Sequence, residues 1–328
     1  MPRKQPTPFL LLSKARTLSL ADVFKGGEDA AYATFRKLRW PETDGEPVCP
    51  RCGHEKAYAF KNSRRFKCAN AACHHKFSVT SGTIFSSRKL PFTDMLAAIL
   101  IVTNGAKGVS ALQLARDLNH QHKSMWILVH KLREAMAAET ADLKLRGIVE
   151  VDGAWFGGHI RPENRKEDRK DRRLVEHQTG KRRSVVAARQ RKGRTKTIVV
   201  GHERDGVTPI SRMIVGGSEV HADEGTHWDL LEVLFPLTKR INHSEAYSLN
   251  GVCTNQVESY FSRLRRMISG QHHHVAPRYL SAYATHAAWL EDHRREDNGK
   301  LCHRALGLAL AHPVSREWKG YWQRHRFL

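Results

Sequence analysis

Four cysteines gathered in one short segment constrain this chain more than any other feature. Cys49-Pro-Arg-Cys52 and Cys68-Ala-Asn-Ala-Ala-Cys73 form a C-x2-C and a C-x4-C pair. Two short-spaced pairs at this separation bring four thiolates to the corners of a tetrahedron, as a closed structural Zn2+ site requires. Gly53 permits the tight turn after the first pair. Ala57 to Phe60 and Arg64 to Lys67 are expected to form the hairpin between the pairs, making a small zinc ribbon. His74 or His75 stands by as a substitute for one thiol. Clustering of this kind argues for metal rather than disulfides, and Cys253 and Cys302 are expected to be ordinary thiols.

The charge balance narrows the choice of partner. Against 33 Asp and Glu the chain carries 55 Lys and Arg, a net charge of +22 with 20 His in reserve. Each phosphate neutralised by such a surface releases condensed counterions, so nucleic acid is the partner that this excess favours over anionic lipid. The basic residues are spread along the chain rather than confined to one amphipathic helix. No apolar run is long enough for a membrane span, and Met1-Pro-Arg-Lys-Gln-Pro lacks the pattern of a secretory signal. A cytoplasmic, nucleoid-associated protein is expected.

Pattern along the chain divides it into five stretches. Residues 1–45 form a helical entry segment through Ala30, Tyr32, Phe35 and Leu38, and residues 46–88 hold the zinc ribbon. Residues 89–145 are helical, 146–298 are a mixed α/β domain, and 299–328 are a C-terminal tail. Within the α/β domain the strands are expected at Ile148–Phe156, Ser184–Arg191, Thr195–Gly201, Ser218–Asp223 and Lys239–Asn242. Helices are expected near Trp228–Phe235, from Thr254 to Ile268, and from Pro277 to about Arg295. His159 to Arg183 alternates basic and acidic residues with almost no apolar anchor, as in a solvated arm.

In the helical stretch, Ala111–Leu118 and Gln121–Met136 flank the short polar turn Asn119-His120. Met125, Leu128, Val129, Leu132 and Met136 fall at helical spacing on one face, opposite Lys123, Ser124, His130, Lys131 and Arg133. This has the form of a helix-turn-helix, with those five residues facing DNA. An ordinary three-helix packing unit with a solvated outer face has the same pattern.

Three acidic residues sit on successive elements of the α/β domain. Asp152 alternates with Val149 and Val151 near the end of its strand, Asp223 follows Val220-His-Ala, and Glu258 flanks the apolar stripe Val257, Tyr260, Phe261, Leu264 and Ile268. Two Mg2+ ions bridged by carboxylates activate a hydroxyl nucleophile and stabilise a leaving 3′ oxygen. By spacing alone, an Asp at a strand end is as well explained as a turn or cap residue. Gln271-His272-His273-His274 reads as a solvated or phosphate-facing run. His243-Ser244-Glu245 is set aside, because adjacent residues rarely converge on one reaction.

The whole chain resembles bacterial insertion-sequence transposases that join an amino-terminal zinc ribbon to a DDE catalytic domain of ribonuclease-H-like fold. The matching stretches include Leu38-Arg-Trp-Pro, Cys49-Pro-Arg-Cys-Gly, Phe77-Ser-Val-Thr-Ser-Gly-Thr-Ile-Phe and Glu150-Val-Asp-Gly-Ala-Trp-Phe-Gly-Gly. Further along come Val220-His-Ala-Asp-Glu, Ile241-Asn-His-Ser-Glu, Thr254-Asn-Gln-Val-Glu-Ser-Tyr-Phe-Ser-Arg-Leu-Arg-Arg and Pro313-Val-Ser-Arg-Glu-Trp-Lys-Gly-Tyr-Trp. The resemblance implies that Asp152, Asp223 and Glu258 are the ligands of catalytic Mg2+ (or Mn2+), with Zn2+ structural at the cysteines. Arg265 stands where such enzymes often have Lys, two helical turns after the Glu, in position to hold a DNA phosphate. Where the family commonly shows a Glu, an Arg and an Asn on the next helix, this chain has His286, Leu290 and His293. The implied activity is cleavage and joining of double-stranded DNA, the element's ends and its target, by a homodimer or larger assembly. A non-catalytic DNA-binding regulator, or a structure-specific nuclease of the same fold, is the alternative.

Overall fold

The computed structural model describes residues 7–157, 163–171, 174–177, 180–242, 244 and 247–324. They form two compact units, the first from the residues up to 139 together with those from 293 on, and the second from residues 140–292. Of the arm from His159 to Arg183, residues 159–162, 172–173 and 178–179 lie outside the described residues, as do His243 and Glu245. No helix among the described residues is long and apolar enough to cross a membrane.

In the first unit, α1 (Leu20–Arg39) starts at a capping box. The Ser19 hydroxyl accepts the Asp22 N–H at 3.1 Å and the Asp22 carboxylate accepts the Ser19 N–H at 2.9 Å. The helix kinks at Gly27, whose φ of 68° suits glycine, and stops at Trp40 ahead of Pro41. The ribbon follows as an antiparallel sheet of β1 (Ala57–Ala59), β2 (Arg65–Cys68) and β3 (Lys76–Ser78), in that order. Only its first two strands were legible in the sequence. Trp40 packs edge-on against Phe66 and Phe77, with ring centroids 5.8 and 6.3 Å away, and so joins α1 to the ribbon.

Helix α2 (Phe92–Asn104) is buried along nearly its whole length. A short helix α3 (Ala111–Asp117) and the longer α4 (His122–Ala138) meet across a turn in which Asn119 takes a φ of 51°. The expected apolar face of α4 is buried: Met125, Leu128, Val129, Leu132 and Met136.

The described part of the segment 299–328, up to residue 324, belongs to the first unit and is not a tail. It supplies most of a helix that packs on α1, α2 and α4 and buries Leu301, Cys302, Ala305, Leu306, Ala309 and Leu310. That helix spans Asn298–Ala311, and beyond it Trp318 and the short helix Tyr321–Arg324 close over α4. Trp126 on α4 meets Trp318, Tyr321 and Trp322 at ring centroid distances of 5.1, 5.1 and 5.5 Å. The entry segment, ribbon, helical stretch and C-terminal residues therefore share one core.

The second unit is built on a five-stranded mixed sheet of β4 (Ile148–Phe156), β5 (Arg183–Gln190), β6 (Thr195–Val200), β7 (Glu219–Asp223) and β8 (Lys239–Ile241). The strand order is β6-β5-β4-β7-β8, with β4, β5 and β6 antiparallel in succession and β7 and β8 parallel to β4. Successive side chains alternate between faces. Val149, Val151, Val186, Ala188, Val220 and Ala222 pack on one face with Val207 and Ile210 of α5 (Val207–Ser211) and Leu231 of α6 (Asp229–Leu234). Asp152 and Asp223 therefore fall on the opposite face. There α7 (Asn255–Met267) lies against β4 and β5, and α8 (Leu280–Asp292) against β6.

Buried ion pairs tie these helices down. Arg189 on β5 meets Glu291 at 3.4 Å and Asp292 at 3.0 Å, and Arg263 on α7 reaches Glu291 at 2.8 Å. Asp292 also accepts the N–H and hydroxyl of Thr195 at 2.9 and 2.8 Å. Charges withdrawn from water need such partners. The two remaining helices of the first unit, Asn298–Ala311 and Tyr321–Arg324, are α9 and α10.

Trp318 is 4% exposed. Trp318→Ala is expected to lower the unfolding free energy by about 3–5 kcal/mol. Chemical denaturation followed by circular dichroism reads this loss, and a change under 1 kcal/mol, on the order of an ordinary surface substitution, would show that the C-terminal aromatic cover is not part of the core.

Candidate active site and metal centre

The four ribbon thiols converge. Their sulfur atoms all lie within 4.8 Å of one another, with Cys52 and Cys68 at 3.6 Å and Cys49 and Cys73 at 3.9 Å. A tetrahedron with Zn–S bonds of about 2.3 Å has edges of about 3.8 Å, so the donor set fits Zn2+. Gly53, at a φ of 72°, turns the chain after the first pair, and its N–H bonds back to the Cys49 carbonyl at 2.9 Å. His75 stacks on Phe77 instead of replacing a thiol.

The acidic residues come from three elements of the second unit. Asp152 lies on β4, opposite Ala187 of β5. Asp223 is the last residue of β7, and its Oδ1 accepts the Gly225 N–H at 3.0 Å, forming a tight turn. Arg240 holds that turn from the neighbouring strand by donating to the carbonyls of Asp223 and Gly225 at 2.5 and 2.6 Å. Glu258 is in the first turn of α7, where the Thr254 hydroxyl donates to its Oε1 at 2.8 Å.

Electrostatics show that these groups feel one another. Burial, then the charges of Asp223, Glu258 and Glu203, push the Asp152 carboxyl up to about 7, against a lowering hydrogen bond from the Gly153 N–H. The three carboxylates are less tightly drawn than the thiols. Among the described residues the cysteines are the one group of three or more side chains placed to hold a metal ion, and Asp152, Asp223 and Glu258 do not form a second. Two cations shared among Asp152, Asp223 and Glu258 would tolerate a looser spacing than the single ion of a thiolate site. Hard oxygen donors crowded until one resists ionising fit divalent Mg2+ or Mn2+.

Arg265, two turns after Glu258, is exposed, with its guanidinium 5.8 Å from the Phe261 ring centroid. It borders a cavity of about 320 Å3 together with Trp155, Ser269, His273 and His274. His272 packs edge-on to Tyr283 instead.

The outer face of α4 differs from its sequence pattern. Lys123 and Ser124 are exposed and Lys131 is half-buried, but His130 and Arg133 are 1% and 2% exposed. His130 stacks on Trp318 at 4.4 Å and Arg133 bonds to the His130 ring at 3.4 Å. Residues far along the chain thus cover part of the face expected to meet DNA. Even Lys123 lies 5.4 Å from the Trp322 ring centroid. On the helix after α7, His286 is fully buried and Leu290 is 5% exposed. His293, in the first unit, bonds Glu296 at 2.7 Å and Glu139 at 3.1 Å.

Sequence reasoning missed Glu203 and His227. Glu203 lies so close to Gly153 that a Cβ there would come within 2.8 Å of its side chain. Its carboxylate accepts the Ser184 hydroxyl at 3.4 Å and pairs with His227 at 3.4 Å. Neither residue belongs to a recognisable spacing. Glu203 lies in the turn after β6, and nothing local marks it as a neighbour of Asp152.

Residues 26–76 match the family described as transposase zinc-ribbon domain. Residues 144–292 match the ISXO2-like transposase domain. No curated protein matches the chain.

A raised carboxyl pKa means that Asp152 stabilises the fold below the ordinary value of 3.8 and that this contribution is lost as pH rises through about 7. Asp152→Asn should therefore stabilise the metal-free protein at pH 8 by on the order of 2–4 kcal/mol, with the gain shrinking toward pH 4. Calorimetry across that range measures it, and a pH-independent difference would contradict the crowding. Separately, Cys68→Ser should lose the about one Zn2+ per chain held by the ribbon, read by atomic absorption.

Proposed function

We propose, on the premise that this chain belongs to the IS1595 family of insertion-sequence transposases, that it cuts DNA at the ends of its own element and joins the freed 3′-OH to a target. Asp152, Asp223 and Glu258 would hold Mg2+ (or Mn2+) through their carboxylate oxygens. Divalent ions so held supply the Lewis acidity for an in-line phosphoryl displacement. The observation that most supports this reading is the Asp152 carboxyl, pushed up to about 7 by burial and by acidic neighbours that include Asp223 from a different strand and Glu258 from a helix.

The sheet order β6-β5-β4-β7-β8, antiparallel on one side of β4 and parallel on the other, supports a ribonuclease-H-like fold for the second unit. Arg265, on the surface two turns beyond Glu258, is suited to hold a DNA phosphate near the reacting strand.

The zinc ribbon and the α3–α4 pair would recognise the element's ends. Lys123 and Ser124 at the exposed start of α4 are the best placed of the five expected contacts to reach double-stranded DNA, and Lys131 is the next. The net charge of +22 favours such binding before any sequence is read. Two ends react together in transposition, so a homodimer or larger assembly on DNA follows from the same reading.

The experiment is incubation of the full chain with DNA carrying its element's termini and Mg2+, comparing wild type with Glu258→Gln. Wild type should yield cut and joined products, and the variant should lose them by at least about 100-fold while still binding DNA. Equal yields from both proteins would remove the proposed role of Glu258. Binding without any cutting would identify a regulator, and cutting without joining a nuclease.

A further inference from the structure

Glu150 and His221 are register partners on β4 and β7, and each lies two residues before one of the acidic groups, Asp152 and Asp223. Both are fully buried. They form a layer directly beneath the site, and its hydrogen bonds lead to the third acidic residue.

The first N–H groups of a helix have no partner within it, and the residue before the helix ordinarily caps them. In α7 that residue is Thr254, whose side chain makes no capping bond to the backbone. Its hydroxyl is turned to Glu258 instead. The N–H groups of Gln256 and Val257 donate to Glu150 Oε2 at 2.7 and 3.1 Å. The cap of α7 thus comes from a strand more than a hundred residues earlier. A carboxylate at this point also meets the positive end of the helix dipole.

The remaining partners hold Glu150 in place. Its Oε1 accepts Arg191 Nε at 2.9 Å, the pairing that a fully buried carboxylate requires. Arg191 also donates to the carbonyls of Gly251 and Cys253 at 3.0 and 3.3 Å and to His221 Nδ1 at 3.1 Å. The Cys253 N–H points at the same Nδ1. The other ring nitrogen, Nε2, meets Glu219 at 2.6 Å. One arginine therefore links β4, β7 and the loop entering α7.

We propose that Glu150 is a positioning residue of the site, which caps α7 from β4 and thereby fixes the Glu258 carboxylate, one residue past Val257, beside Asp152. It acts through Glu258 and not on the substrate. This inference rests on the reading of Asp152, Asp223 and Glu258 as cation ligands, and the test separates the two.

Binding of Mn2+ to the full zinc-loaded chain, followed by the electron paramagnetic resonance of the free ion, is compared for wild type, D152N and E150Q. Circular dichroism and thermal unfolding report the fold, and hydrogen exchange reports the amides of Gln256 and Val257. E150Q is expected to remain folded, to exchange those two amides faster, and to bind Mn2+ at least about tenfold more weakly. A merely structural glutamate would change the thermal midpoint and leave Mn2+ affinity alone. Wild-type affinity in folded E150Q, with affinity lost in D152N, overturns the positioning role. Wild-type affinity in D152N overturns the cation site itself and this inference with it. E150D keeps the charge against Arg191 but draws it back from α7 by one methylene, and it carries the same expectation should E150Q not fold.

Discussion

Like charges held together inside a low-dielectric fold are the constraint on which the second unit depends. Asp152 shows that conflict, because burial and the charges of Asp223, Glu258 and Glu203 act on it together. A free chain would let these groups separate. The sheet does not, because Asp152 and Asp223 project from adjacent strands toward the face that α7 covers. Rigidity has visible sources: the Arg240 clamp on the turn after Asp223, the Arg189 and Arg263 pairs with the end of α8, and the Glu150 layer under the acids. On the proposed reading, carboxylates crowded in this way would favour a divalent cation between them.

Much of this was legible in the sequence wherever the signal was local. The cysteine spacing gave away the ribbon, and the alternation of Val149 and Val151 with Glu150 and Asp152 indicated which face of β4 carries acids. The stripe along α7 follows from its helical spacing at Val257, Tyr260, Phe261 and Leu264, with Met267 taking the buried end expected of Ile268. What escaped notice depends on distant partners. His130 and Arg133 have the periodicity of an outer helix face, yet both are buried, with Trp318, nearly two hundred residues later, stacked on His130. Residues 299–328 looked like a tail because nothing near them shows the groove formed by α1, α2 and α4. The role of Glu150 has no local signal, since its partners at Gln256 and Val257 come together with it only when the chain has folded.

The first unit shows a different economy. Its ribbon sheet is only three short strands, too small to bury much apolar surface, so a metal-binding donor set and borrowed packing are the supports open to it. Four thiols at tetrahedral spacing supply the first, and Trp40 from the end of α1 supplies the second. The C-terminal aromatics do the same for α4. Their cover leaves the start of that helix exposed, with Lys123 and Ser124, as the part of the expected DNA-facing surface still open to a partner.

The convergence of three carboxylates on shared cations can be tested without DNA or turnover. Fe2+ bound in place of Mg2+, with ascorbate and peroxide, cuts the nearest backbone, and the cut sites are read by mass spectrometry. The account predicts cuts confined to the stretches around Asp152, Asp223 and Glu258, suppressed by excess Mg2+. Cuts at only one of these stretches, or a pattern indifferent to Mg2+, would contradict it.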